Sequence, residues 1–358
     1  MAAQSIVRSV CSVFKSFWKR HRENLGLAVA GVLLGKRVGV ASIGRSMPAG
    51  TCPKHAIKRL DRFLSNDRLH DDEAQATLLH TVVGPRKRIL IAVYWTKIRD
   101  WQVLVAGVIQ CGRCIPILWS VMDPRRRYKS QNAFENGFIS ALVAALPSGT
   151  DATVLLDRGF RRISLVKHLR SVGLSFVIRI PGKTMVRHES YCGLLSNMPL
   201  RPNRFVDMPD AEATADHPAS VRIVSIRKRG QKEPWHLMTD RPESCDQVAN
   251  MYAKRFHIEE TFRDQKEHRF GLSLGYLKVT RADRLTRVLL VAAVAHFVAM
   301  LVGAAARATG LDRLYRANTP GKRGRKAHSD FTLGLYYAPR VKLKRVPRLQ
   351  LLWSHGCM

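Results

Sequence analysis

Between residues 88 and 180 the apolar pattern changes its period in a fixed order. Three apolar or alternating runs, 88–97, 102–110 and 114–122, are joined by short turns and read as a strand meander. The segment 132–146, "NAFENGFISALVAAL", then spaces its apolar residues for a helix, with Asn132 placed as its N-cap. A strand at 152–157 ("ATVLLD"), a helix at 162–172 and a strand at 175–180 ("SFVIRI") follow. Three meandering strands followed by helix, strand, helix and strand restrict the region to a mixed sheet with helices on both faces.

The remainder is organised around that core. Residues 1–84 read as short helices with Arg, Lys and His on their polar faces, 13 Lys/Arg against 6 Asp/Glu. Such a unit suits contact with a duplex backbone, although a solvated helical cap has the same composition. Residues 183–240 are rich in Pro, Asn and Asp with short alternating runs such as "VRIVSIRKRG", the pattern of a β-rich insertion. Long helical signals resume at 244–269 and 284–308. Beyond residue 306 the chain is basic, and "GKRGRK" at 321–326 reads as a phosphate-binding segment. The expected division is a helical domain at 1–84 suited to DNA contact, a mixed-sheet domain at 85–310 carrying the insertion at 183–240, and a basic region at 311–358.

The chain has 358 residues and a net charge of +33. This excess opposes folding by self-repulsion, and nucleic acid is the polyanion that best compensates it. The apolar run 288–306 has the length of a membrane span, but it contains His296 and is Ala-rich, so a helix buried in a large core is expected instead. "LAVAGVLLG" at 27–35 is short for a secretory signal. Seven scattered cysteines suit free thiols in a cytoplasmic, nucleoid-associated protein, and Cys111 and Cys114 lack the second pair that a structural zinc site needs. Their segment, C-G-R-C, reads as a hairpin turn.

The chemistry concentrates in "YAKRFHIEETFRDQK", 252–266. On an ideal helix Tyr252, Arg255, Glu259 and Lys266 fall within an arc of roughly 60°. One face then presents a carboxylate among a phenol, a guanidinium and an ammonium, a mixture able to hold a metal ion against a phosphodiester. An exposed helix laced with ion pairs has similar spacing.

The pattern Y-x2-R-x3-E-x6-K resembles the signature of the DDE transposases of bacterial insertion sequences, in particular the IS-four group. "LLDRGF" at 155–160 is similar to that family's second acidic motif, and the element order is similar to its ribonuclease-H-like domain. The resemblance implies Asp157 and Glu259 as catalytic, metal-binding carboxylates, with Mg²⁺ (or Mn²⁺) as the cofactor. It further implies that Tyr252, Arg255, Lys266 and Arg158 contact DNA. Trp235 falls where relatives stack a flipped base, or else is a core aromatic. The implied reaction is strand cleavage at terminal inverted repeats followed by transfer into target DNA, carried out by a homodimer without membrane involvement.

The family's first acid belongs in the first strand, in a run such as "hhVDWT". Here the run is "LIAVYWTKIRD", and the position is Tyr94. A phenol with a pKa near 10 is neutral at pH 7 and a poor ligand for Mg²⁺. Asp100, six residues downstream, lies about 20 Å away along an extended strand. The sequence therefore predicts a transposase impaired in catalysis at this position. The rival reading is a DNA-binding repressor or architectural protein derived from one.

Overall fold

The computed structural model describes residues 2–123, 125, 130–213, 219–267, 271–315 and 327–340. Five helices come first: α1 (Ala2–Val13), α2 (Lys19–Gly35), α3 (Val40–Ser46), α4 (Pro53–Leu64) and α5 (Asp71–Val83). The meander follows as β1 (Arg88–Ile98), β2 (Trp101–Gln110) and β3 (Arg113–Met122). Next come α6 (Gln131–Ala145), β4 (Asp151–Leu156), α7 (Ile163–Ser171) and β5 (Ser175–Ile180). The insertion supplies β6 (Met185–His188), β7 (Tyr191–Leu194), β8 (Phe205–Ala213), β9 (Ala219–Ile226) and β10 (Trp235–Thr239). The described residues end with α8 (Cys245–Ala253), α9 (His257–Lys266), α10 (Ala282–Ala308) and α11 (Asp330–Tyr337).

All ten strands form one mixed sheet in the order β3-β2-β1-β4-β5-β10-β9-β8-β6-β7. Only the β1/β4 and β4/β5 pairs are parallel, each being separated in sequence by a helix-containing crossover. The insertion does not fold apart from the core. Its last strand pairs with β5, His236 opposite Ile180, and so extends the sheet from its middle. The fold class is the expected mixed sheet flanked by helices, consistent with a ribonuclease-H-like fold.

The β2/β3 hairpin turns on Cys111 (φ 49°) and Gly112 (φ 74°), two left-handed residues as a two-residue type I′ turn requires. Cys111 takes part in a disulfide, so the expectation of seven free thiols fails there, while Cys114 is free and buried. The cap of α6 is Ser130, whose side chain accepts from the Ala133 N–H; Asn132 lies inside the first turn.

Sheet parity fixes which helices reach which face. Trp95 points toward α6, where its Nε1 donates to Glu135 at 2.8 Å, while Tyr94 points toward α9 and α10. The run at 288–306 forms the middle of α10. This helix is long and apolar enough to cross a membrane, yet 78% of its apolar window is buried within the protein, against α2, α5, β3 and α11. α2, which contains 27–35, packs on α1, α3 and α10, so the helices before residue 84 and the sheet share one core. The segment 321–326 and residues 341–358 lie outside the described residues.

Candidate active site

β4 is buried from Ala152 to Leu156, apolar but for Thr153, and Asp157 is the first polar residue beyond its end. The chain turns there into a single 3-10 turn, Arg158–Phe160, capped by Asp157 itself: its Oδ1 accepts from the Gly159 N–H at 2.9 Å. The parallel register ends with Ala92 opposite Leu155, so Tyr94 and Asp157 each follow that last pair by two residues.

The signature segment crosses that face. Ser244 and Gln247 form a reciprocal capping box that starts α8. A 3-10 turn at Lys254–Phe256 then separates α8 from α9, so the segment is two helices joined by a tightened turn rather than one α-helix. Arg255, in that turn, donates from Nη2 to Asp157 Oδ2 at 2.8 Å. Lys266 Nζ donates to Thr96 Oγ1 at 2.6 Å and to the Lys97 carbonyl at 3.2 Å, crossing the Phe262 ring at 4.3 Å. Burial holds the Lys266 ammonium below its ordinary pKa. Phe262 meets Tyr94 edge-to-face with centroids 5.3 Å apart.

Arg255, Glu259, Phe262 and Lys266 are therefore one stripe (i, i+4, i+7, i+11) running from Asp157 to β1. Glu259 stands exposed in the middle of it, with no ion pair or hydrogen bond among the described residues. Tyr252 points elsewhere. It is buried with Val248 and Ala249 against Leu155, Val177 and Trp235.

Tyr94 is buried, and burial raises its phenol well above the ordinary pKa near 10. The neighbouring Cys114 thiol raises it further, and only the Arg255 guanidinium opposes the shift. The Cys114 thiol is itself pushed up to about 12, chiefly by burial. Cys114 reaches Tyr94 from β3 because the intervening β2 residue is Gly107, where a Cβ would stand 2.5 Å from the Cys114 Sγ. The donor set is thus Asp157, Glu259 and a neutral phenol. Among the described residues no group of three His, Cys, Asp or Glu side chains could hold a metal ion. These residues do not fit a pair of divalent cations bridged by three carboxylates.

Arg158 is exposed and pairs with Glu233 at 3.1 Å, and Glu233 also accepts from Arg179 at 3.2 Å. Trp235 is 8% exposed, edge-to-face with Tyr252 and stacked at 17° on Phe256, with Lys228 Nζ 5.9 Å from its ring. Its faces are packed, and the open aromatic surface at this point is Phe256, 45% exposed. Phe256 passed unnoticed in the sequence, although an apolar residue inside a polar signature was a visible signal. Cys114 and Gly107 carried none, since their relation to Tyr94 depends on cross-strand register.

Residues 122–296 match the family model described as the transposase DDE domain. The matched stretch contains Asp157 and Glu259 and begins after β1, so it leaves Tyr94 outside. A comparison with curated proteins finds no match. DDE transposases in general use divalent metals and act on DNA. Over these residues the chain is similar to a transposase DDE domain, and the mixed sheet around Asp157 is consistent with that domain's fold.

Proposed function

We propose that this chain is an insertion-sequence transposase, similar to the IS-four group, that binds the terminal inverted repeats of its element and is impaired in cleavage and strand transfer. The observation that carries the reading is the place of Tyr94: a buried, neutral phenol beside Asp157, within reach of the stripe that holds Glu259. Arg255 and Lys266 are the groups that would grip phosphate there, with Arg158 outside them. Tyr252 and Trp235 would support that surface from beneath. The helices at 1–84 and the basic region at 311–358 would supply further backbone contacts, and a homodimer would pair the two ends. Losing one charged ligand corresponds to several kcal/mol of transition-state stabilisation, or ~10³-fold in rate.

A second reading is a DNA-binding repressor without chemistry. The 2.8 Å ion pair that ties Asp157 to Arg255 favours it, because the remaining carboxylate at the sheet is already satisfied by a cation. Competition binding separates the two from a general packing protein. A labelled duplex carrying the repeats that flank the gene should be displaced by its own sequence and not by a scrambled one. Equal displacement by both would contradict terminal-repeat recognition. Dominant inhibition of an active sister transposase in cells would favour the repressor.

A further inference from the structure

A groove of about 740 Å³ opens beside the candidate site on the opposite face of the sheet. It lies between α7 and the start of the insertion, floored by Ile180 of β5 and Met238 of β10. Its near end is Gly159, whose N–H is bonded to Asp157, so the groove starts where the candidate carboxylate ends. Arg161 and Lys167 border it on one side and Lys183 on the other, all three exposed. Among the described residues no acidic side chain lines it, and none of these three cations is in an ion pair. Arg161 donates only to the Arg158 carbonyl, at 3.1 Å. Arg162, also in the lining, is neutralised by the buried Glu135 and donates to Asn136 at 2.7 Å, which leaves the other three as the free charge.

We propose that this groove carries the phosphodiester backbone of the DNA that continues past Asp157. The proposal rests on the reading that the chain binds element ends. Arg255 meets Asp157 from the α8/α9 face, with Lys266 further along the same stripe at Thr96, while Arg161, Lys167 and Lys183 lie on the α6/α7 face. A strand passing over the end of β4 meets cations on both sides of the carboxylate. Three uncompensated cations along one open groove suit successive phosphates, whose neutralisation releases counterions. The groove's partner is therefore flanking DNA, beyond the segment gripped by the signature helices.

The test uses the full chain and two duplexes, one ending at the element boundary and one extended by flanking base pairs, with a scrambled duplex beside each. Affinity is measured by fluorescence anisotropy over a series of salt concentrations. Wild type should bind the extended duplex more tightly. The Arg161→Ala/Lys167→Ala/Lys183→Ala variant should lose that gain, about ten-fold or more, with the salt slope on the extended duplex lowered by about 2 to 3, and should bind the boundary duplex as wild type does. A charge-matched variant elsewhere in the insertion, Arg187→Ala/Arg201→Ala/Arg229→Ala, should keep the gain. Wild-type affinity of the groove variant for the extended duplex, or an equal loss on both duplexes, would overturn the proposal. Groove-dependent binding that does not distinguish scrambled sequence would instead leave the groove standing and remove terminal-repeat recognition.

Discussion

Tyr94 and Asp157 lie two residues beyond Ala92 and Leu155, the last partners of the parallel β1/β4 pair, and the Arg255 guanidinium that bonds Asp157 also acts on the Tyr94 phenol. A carboxylate at 94 would face Asp157 across a strand spacing of about 5 Å, with Glu259 above on α9. The phenol fills that space, has the Cys114 thiol as a neighbour and packs against Phe262.

Tyr94→Asp should therefore be unstable without metal. It removes a buried ring and places a carboxylate in its room, for a loss of about 3–5 kcal/mol. Divalent cation should then recover stability in the variant and not in wild type, because only the variant offers three carboxylates. Melting temperatures with Mg²⁺ and with EDTA check this. A Mg²⁺ response in wild type as large as that of the variant would refute it.

The buried histidines set an acid limit. Burial, with Arg113 nearby, holds His296 down to about 3, and burial with Arg179 nearby holds His236 down to about 4. Their contribution is present above the unfolded pKa near 6.5 and is lost as pH falls, at about 1.4 kcal/mol per pH unit for each. Asp264, pushed up to about 6 chiefly by burial, has the opposite sign and offsets part of the loss below pH 6. Urea midpoints should thus fall steadily as pH drops below about 6.5. His296→Gln should remove about half of that slope, and an unchanged slope would contradict the assignment.

Gly107 is the clearance through which Cys114 meets Tyr94. Gly107→Ala should cost about 1–3 kcal/mol, because its Cβ would press on the Cys114 Sγ at 2.5 Å and on the Ile115 carbonyl at 3.1 Å. Cys114→Ala in the same chain should return part of the loss. A double-mutant cycle by denaturant unfolding measures the coupling, and strict additivity would show that the two side chains do not compete for space.

α10 and α11 touch backbone to backbone. A Cβ at Gly303 would stand 1.6 Å from the Asp330 carbonyl oxygen, and one at Gly334 would stand 1.8 Å from that of Ala299. Either Gly→Ala change should release α11 from the core. The readouts are faster proteolysis at 327–340 and a lower melting temperature; wild-type protection would contradict this packing.

The order of elements between 88 and 180 was legible because turns and apolar period act locally, and each of those strands and helices appears within a residue or two of its expected place. The helix expected at 244–269 breaks at Lys254–Phe256 without Gly or Pro to announce it. There Arg255 turns to Asp157 and Phe256 to Trp235, so tertiary contacts decide the local geometry. The fate of the insertion was hidden for the same reason, since β10 finds β5 across more than fifty residues. Trp235 is buried against Tyr252 and Phe256, which its own segment "EPWHLMTD" does not reveal. Tyr94 was the legible departure in the site. Its closeness to Cys114 was not, because the bulge between Ala106 and Gly107 shifts the register of the intervening strand.

The most direct test is metal-dependent nicking of a duplex carrying the terminal repeats that flank the gene, by wild type, Tyr94→Asp and Tyr94→Asp/Glu259→Ala. The account predicts cleavage by the single variant alone, at least ~10³-fold faster than wild type. Cleavage by wild type at a rate equal to Tyr94→Asp would contradict it.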